Sequence, residues 1–311
     1  MASDKDRIPF RVTPMLATLV REPFHKPGWI YEEKYDGYRI LAYKEGERVT
    51  LVSRNGNDRT ATYASVARAI QQLRIRTLLL DGEVVAFDSK GISRFQLLQE
   101  GSRATAYAVF DCLYSAGRDL RHEALEIRSP AAESAIDKAE VLMISRRLAE
   151  NGLEAFKVAK QKGYEGVVAK DLSAPYIEGR SSKWLKVKVH QEEEMVIGGF
   201  TKPEGSRRYF GALLLGAYEG GKLRYVGKVG TGFNENTLAS LHQKFKPLVQ
   251  SKPAFLDPPR EKGITYLKPK LVAQISFQEW TADRKLRQPV YLGLRDDKRP
   301  EEVQLPAKGT V

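Results

Sequence analysis

The chain has 311 residues, of which 51 are lysine or arginine and 39 aspartate or glutamate, a net charge of +12. With 42% hydrophobic and 29% charged residues it reads as a folded, water-exposed chain long enough for two cores, and no apolar run approaches a membrane span. A single cysteine, Cys112, excludes an internal disulfide framework and a multi-cysteine zinc site, and four scattered histidines (His25, His122, His190, His242) make no histidine-rich metal centre. Residues from 190 onward hold 20 basic and 14 acidic side chains, against 31 and 25 before, so the positive charge is spread evenly and points to a polyanionic partner, nucleic acid first. The first residues, Met1 to Arg7, contain no signal-peptide apolar core, and a cytoplasmic location is expected.

In chain order, residues 8–28 carry four prolines and read as an irregular lead-in crossing a surface. An apolar stretch (Trp29, Ile30, Tyr31) then leads into Glu32-Glu33-Lys34-Tyr35-Asp36-Gly37-Tyr38-Arg39, and a strand-like run follows to Tyr43. Lys34 is expected in a short loop between two strands, with Gly37 permitting a tight turn. Free lysine has a pKa of about 10.4, so Lys34 is a nucleophile only where a cation, a metal or desolvation strips its proton; otherwise the stretch is a solvated turn. Residues 48–53 alternate as a half-buried strand should, and Arg54-Asn55-Gly56-Asn57-Asp58 has turn composition. Val66, Ile70 and Leu73 take helical spacing. Leu78 to Phe87 reads as a strand pair or a strand kinked at Asp81-Gly82, and Tyr107 to Leu113 as a strand. Residues 120–162 read as helix-rich with Pro130 as a break. Gly166 to Ala169 and Trp184 to Val189 are strand-like, and Lys186 and Lys188 alternate so that both amines face one way. Glu165 opens an apolar strand, where a carboxylate needs a partner or a metal. Beyond residue 190 five or so strands with glycine-rich turns and one helix near Thr237 to Phe245 suit a small barrel of the OB type.

Six stretches in a fixed order carry a resemblance: Lys34-Tyr-Asp-Gly-Tyr-Arg39, Ser53-Arg54-Asn55-Gly56, Asp81-Gly82-Glu83, Phe110-Asp111, Glu165-Gly-Val-Val-Ala-Lys170 and Trp184-Leu-Lys186-Val-Lys188. Their order resembles the covalent nucleotidyltransferases, namely ATP-dependent DNA ligases, RNA ligases and messenger-RNA capping enzymes. The resemblance covers nearly the whole chain. It implies an α+β architecture: a nucleotidyltransferase (adenylation) domain over residues 1–189, with antiparallel sheets and flanking helices, and a C-terminal OB-fold β-barrel over 190–311. It further implies that Lys34 attacks the α-phosphate of ATP, that Lys186 and Lys188 contact that phosphate, and that Glu165 with Asp36 holds Mg²⁺ (or Mn²⁺). Glu83 lines the ribose, Arg39 and Arg54 bind sugar or phosphate oxygens, Phe110 stacks on adenine, and the backbone of Glu32 reads the adenine amino group. Without the resemblance each has a plainer reading: Asp81-Gly82 a hairpin turn, Phe110 core, Lys186 and Lys188 solvated.

The second half narrows the family. Phe277 to Asp283 and Leu286 to Lys298 look like the C-terminal motif of ATP-dependent DNA ligases, which implies that Arg295 and Lys298 orient the pyrophosphate in the first step. Tyr176 to Trp184, Phe210 to Gly216 and Val229 to Phe233 resemble the ligase module of bacterial non-homologous end-joining ligases. The expected substrate is then nicked or broken double-stranded DNA in the nucleoid. The expected partners are a Ku-type end-binding protein and a repair polymerase, and the expected form is a monomer that touches no membrane. The polymerase and phosphoesterase domains often fused to such modules, and the helical DNA-binding domain of larger ligases, fall outside the sequence, so DNA grip is expected from the two domains' own basic surfaces. Glu126-Ile-Arg-Ser-Pro130 departs from the arginine-rich helical pattern of the family. An RNA ligase, a capping guanylyltransferase and a non-catalytic OB-fold nucleic-acid-binding protein are the alternatives. An NAD-dependent ligase is excluded by the single cysteine, because its zinc finger needs four.

Overall fold

A computed structural model of the chain describes residues 7–99, 101, 104–136, 141–189, 191–203, 205 and 207–306. The expectations attached to residues 1–6, to 137–140 and to His190 lie outside the described residues. The chain divides into two compact units, Met1–Val189 and His190–Val311.

The strands of the first unit are β1 (Met15–Leu19), β2 (Trp29–Lys34), β3 (Tyr38–Glu45), β4 (Arg48–Ser53), β5 (Thr77–Val85), β6 (Ala106–Ser115), β7 (Arg118–Asp119), β8 (Leu142–Ile144), β9 (Arg147–Ala149), β10 (Gly166–Asp171) and β11 (Gly179–Lys188). Its helices are α1 (Ala64–Gln71), α2 (Phe95–Gln99), α3 (Leu125–Ala135) and α4 (Gly152–Lys162). One sheet runs β1-β11-β10-β2-β9, the other β4-β3-β5-β6-β7 with β8 beside β6. All pairs are antiparallel except β1 with β11 and β6 with β8.

Burial follows the alternation of side chains along each strand. In the first sheet Trp29, Tyr31, Val167 and Ala169 pack with Ala155 and Ala159 of α4. In the second, Ile40, Ala42, Leu78 and Leu80 pack with Val66 and Ile70 of α1 and Ala132 of α3. Met15 and Trp184 of the first sheet meet Leu41, Leu79 and Leu113 of the second. The unit is thus layered helix, sheet, sheet, helix, and the even-numbered side chains of β2 face the other sheet.

Several local expectations are corrected. The proline-bearing lead-in contains β1, with Ile8 and Met15 buried, because β11 offers it a parallel partner that local composition does not reveal. Pro130 does not break a helix but sits inside α3; it and Glu126, the residue whose carbonyl loses a partner, are both exposed, so water replaces the missing hydrogen bond. Residues 142–149 form two short strands rather than helix. Asp81-Gly82 is the middle of β5, where register shifts against β6 fall at Leu79/Leu80 and Asp81/Gly82, so the kinked-strand reading holds and the hairpin-turn reading fails.

The second unit holds β12 (Glu192–Thr201), β13 (Leu213–Glu219), β14 (Lys222–Val229), α5 (Glu235–Phe245), β15 (Val249–Gln250), β16 (Ile264–Ser276), β17 (Glu279–Trp280), β18 (Leu286–Arg287) and β19 (Val290–Leu294). The pairing runs β14-β13-β12-β16-β15, with β19 also on β16 and β17 paired to β18. Helix α5 begins where Asn234 accepts from the amide of Thr237, and it buries Leu238, Leu241 and Phe245 against Val196, Leu213 and Leu267.

Candidate active site

Strand register gathers the site. Across β2, β10 and β11 the rows are Lys34–Gly166–Lys188, Glu32–Val168–Lys186 and Ile30–Lys170–Trp184. Paired residues share a face, so four lysines, one glutamate and a tryptophan line the inner face of this sheet in three steps. Gly166 lies between Lys34 and Lys188, and a Cβ there would come within 2.1 Å of the Val187 carbonyl oxygen.

Lys34 is the last residue of β2, one position earlier than the loop expected for it, and Tyr35 to Gly37 make the connection to β3. Gly37 is not required for a left-handed backbone; its added Cβ would lie 2.2 Å from the Val84 carbonyl oxygen, so glycine is there for close approach. The Lys34 amine donates to Glu165 Oε2 at 2.5 Å, and the two side chains are only 18% and 8% exposed. Lys188 Nζ lies 4.0 Å from Glu165 Oε1. Burial pulls the Lys34 pKa down, but Glu165, with Glu83 and Asp36 behind it, outweighs burial and raises it. Burial pushes Glu165 up, and Lys34, Lys188 and Lys186 more than reverse this, leaving its carboxyl below the usual range. The resting nucleophile is therefore an ammonium, contrary to the depressed pKa expected of it, because the nearest charges are carboxylates.

Asp36 also caps a helix: its Oδ2 accepts from the Phe95 amide at 3.0 Å, at the start of α2, while its own amide donates to Ser93 Oγ. No group of three or more His, Cys, Asp or Glu that could hold a metal occurs among the described residues. The two carboxylates that act on Lys34, Glu165 and Asp36, are a donor set that Mg²⁺ would accept, since it takes one or two carboxylates and fills its remaining positions with water and substrate phosphate.

A second cluster adjoins the first. Lys170, 2% exposed, donates to Glu32 Oε2 at 2.8 Å and to the Phe110 carbonyl at 3.2 Å, and its ammonium lies 4.4 Å from the centre of the Phe110 ring and 4.6 Å from that of Trp184. The Arg39 guanidinium is also 4.4 Å from the Phe110 ring and donates to both oxygens of Asp81, at 2.5 and 2.6 Å, and to the Met15 carbonyl. Tyr176 donates to Asp81 Oδ2 at 2.6 Å. Arg39, Asp81 and Glu83 share one face of the second sheet, where Arg39 pairs with Glu83 in register. Phe110 thus lies against two cations, and the next residue of β6, Asp111, is gripped by Arg128 through both carboxylate oxygens.

Of the residues expected from sequence, Lys34, Glu165, Lys186, Lys188, Glu83 and Asp36 form one electrostatic group, and Glu32, Phe110 and Arg39 belong to the second. Arg54 stands in the turn after β4, half-buried. Arg295 and Lys298 are in the second unit: Arg295 forks onto Asp297 at 2.8 Å twice, and Lys298 lies 3.2 Å from Glu194. Sequence reasoning left Lys170, Trp184, Tyr176 and Arg128 without roles; the signal for Lys170 was a lysine closing the apolar run Gly166 to Ala169. Cys112 is buried, and burial pushes its thiol up to about 12, the setting of a structural rather than a reactive cysteine.

Comparison with known proteins decides the family. The model of the ATP dependent DNA ligase domain matches residues 14–188, and that of the ATP dependent DNA ligase C terminal region matches 206–298. The chain belongs to the ATP-dependent DNA ligase family. It is similar to the multifunctional non-homologous end joining protein LigD of Pseudomonas aeruginosa, 39% identical over 96% of this chain and 37% of that protein. The corresponding LigD repair protein of Mycobacterium tuberculosis is 38% identical, over 94% of this chain and 39% of that one. The chain therefore spans well under half the length of these relatives. Among solved structures, a mycobacterial DNA ligase D complexed with ATP and MES superposes with a TM-score of 0.72 at 35% identity, covering 95% of this chain and 98% of that one. The ligase domain of M. tuberculosis LigD gives 0.52 at 36%, covering 94% and 97%. The fold is that of ATP-dependent ligases: an α+β nucleotidyltransferase unit of antiparallel sheets and flanking helices, then a C-terminal OB-fold unit.

Proposed function

We propose that the chain seals 5′-phosphate/3′-hydroxyl breaks in DNA by ATP-dependent ligation, with Lys34 as the nucleophile. The observation that carries this reading is a lysine buried at a strand end on Glu165, with Lys186 and Lys188 on the same sheet face. In the first step the Lys34 nitrogen forms a bond to the α-phosphorus of ATP, the bond to the β-phosphate oxygen breaks, and pyrophosphate leaves. AMP then passes to the 5′-phosphate of a DNA end with cleavage of the P–N bond, and the 3′-hydroxyl displaces AMP to close the strand.

For Lys34 to attack, its proton must leave and Glu165 must find another countercharge. Lys188 and Lys186 supply part of it from the adjoining rows, and both also meet the α-phosphate, where fixed positive charge counts most. Glu165 and Asp36 would hold a divalent cation, Mg²⁺ or Mn²⁺, which when bound neutralises phosphate charge. Phe110 stacks on adenine, Glu32 reads its amino edge, Glu83 and Arg39 serve the ribose and phosphates with Arg54, and Arg295 and Lys298 act on the pyrophosphate. The names of the LigD relatives support repair of DNA ends as the biological setting, and the proposal extends it to a monomer in the bacterial nucleoid with a Ku-type protein and a repair polymerase as partners.

The test is to strip the protein with pyrophosphate, mix it with α-labelled ATP and Mg²⁺, and run a denaturing gel. A label that pyrophosphate removes and that maps to Lys34 is expected. Lys34→Ala abolishes the label while still sealing a nick that already carries AMP on its 5′ end. A label retained by Lys34→Ala overturns the assignment, and no label from ATP on the stripped protein overturns ATP-dependent ligation.

A further inference from the structure

The back of the nucleophile strand carries a cluster that the chemistry above does not use. Glu33 and Tyr35 flank Lys34: Glu33 points away from the site, toward the layer of α4, and Tyr35, in the connection to β3, packs on Val85 and Ala108 of the second sheet. Both are held by one residue, Arg146, in the connection between β8 and β9. The Glu33 amide donates to the Arg146 carbonyl at 2.9 Å, the Arg146 amide donates to Tyr35 Oη at 3.1 Å, and the Arg146 guanidinium donates to Glu33 Oε2 at 2.9 Å and to Tyr164 Oη at 2.5 Å. Glu33 is 3% exposed, and its other oxygen, Oε1, has no hydrogen-bond partner. Tyr35 is 5% exposed. A buried carboxylate with one bare oxygen is costly unless its single cation holds it.

Resting on the ligase reading, we propose that Arg146 is a positioning residue for the nucleophile, fixing the end of β2 by gripping the residues on both sides of Lys34. Lys34 is the last residue of its strand, with a three-residue connection after it, so nothing further along β2 sets the direction of its side chain. The ladder with β10 fixes it from one edge, and Arg146 fixes the two peptide units around it from the other. The ionisable groups facing Glu33 are Arg146, Tyr35 and Tyr164, and burial pushes its carboxyl up to about 7 against the pull of Arg146. The grip is therefore at full strength only when Glu33 is ionised.

A residue that aims Lys34 matters while Lys34 is forming or breaking a bond to phosphorus, and not when a pre-adenylylated nick is closed. The experiment measures single-turnover self-adenylylation and single-turnover sealing of a pre-adenylylated nick for the wild type, Arg146→Ala, Arg146→Lys, Tyr35→Phe and Glu33→Gln. Misaiming by a fraction of an ångström is expected to slow the first step about tenfold or more in Arg146→Ala and Tyr35→Phe, with sealing kept within about twofold and Arg146→Lys recovering most of the loss. The wild-type first step is expected to gain rate as Glu33 ionises, an inflection missing from Glu33→Gln. Equal slowing of both steps, or a first step within about twofold of wild type in all four variants, overturns the proposal. If Arg146→Ala does not fold, Tyr35→Phe and Glu33→Gln, which leave side-chain volume nearly unchanged, decide the matter. A wild type that takes no label from ATP is a failure of the ligase reading itself, seen before any variant is compared.

Discussion

Arg128→Met tests whether a buried ion pair holds the part of β6 that carries Phe110, the proposed adenine platform. Arg128 and Asp111 both have 0% side-chain exposure, and their bonds are 2.8 and 2.9 Å. The guanidinium also donates to the carbonyls of Glu123 at 2.5 Å and Ala174 at 3.0 Å. Methionine fills most of the same volume, so the loss is chiefly that of a cation facing a buried carboxylate. Breaking such a pair from one side costs roughly 3–5 kcal/mol. For a unit of this size that corresponds to a fall in Tm of roughly 6–20 °C. Burial pushes the Asp111 carboxyl up and Arg128 is the main group that holds it back, so deleting Arg128 leaves burial opposed only by the weaker pull of Lys170 and the carboxyl rises further. A carboxyl whose folded pKa is raised favours the folded state below its unfolded pKa and loses that advantage as pH rises. The deficit of Arg128→Met is therefore larger at pH 8 than at pH 5. Urea unfolding followed by tryptophan fluorescence at both pH values measures it, and Asp111→Asn combined with Arg128→Met should recover much of the loss. A cost below about 1 kcal/mol, or a deficit that grows toward acid, would refute the reasoning.

Three further outcomes are expected. Gly37→Ala, whose new Cβ would meet a backbone carbonyl at 2.2 Å, should cost about 3 kcal/mol and slow self-adenylylation together; a thermal melt unchanged from wild type would show that the loop yields freely. Glu33→Gln should gain stability relative to wild type as pH rises. The wild-type carboxyl goes from 4.5 unfolded to about 7 folded, so the fold binds its proton more tightly and loses about 3 kcal/mol between those values, which the amide does not lose. Denaturant midpoints at pH 5 and 8 read this, and parallel curves would contradict it. Arg295→Ala should slow self-adenylylation far more than sealing of pre-adenylylated nicks, and equal losses would remove Arg295 from the first step.

The sequence alone was enough for the family and the two-part architecture, and it named most of the residues that the fold gathers into the candidate site. Lys34, Glu165, Lys186 and Lys188 stand in short motifs whose spacing survives any folding, and the period-2 pattern of β11 already placed both lysines on one face. It also located α1 from Val66, Ile70 and Leu73, and the helix of the second unit.

What the tertiary structure decided is everything that depends on which residues become neighbours across strands. β1 exists because β11 lies beside it, and nothing in a proline-bearing segment announces a parallel partner about 160 residues away. Pro130 fits inside α3 because the face it disturbs is wet. Gly37 proved to be a glycine of close approach rather than of turn geometry, since the Val84 carbonyl faces it only after β3 and β5 pair. The protonation of Lys34 was likewise beyond the motif. Sequence places cations two residues apart on β11, but only the fold sets Glu165 at 2.5 Å from the amine, where its charge, with those of Glu83 and Asp36, outweighs burial. Arg146 is the clearest case: it lies 112 residues from Lys34, in no motif, and holds the residues flanking it because β2 and β9 share an edge.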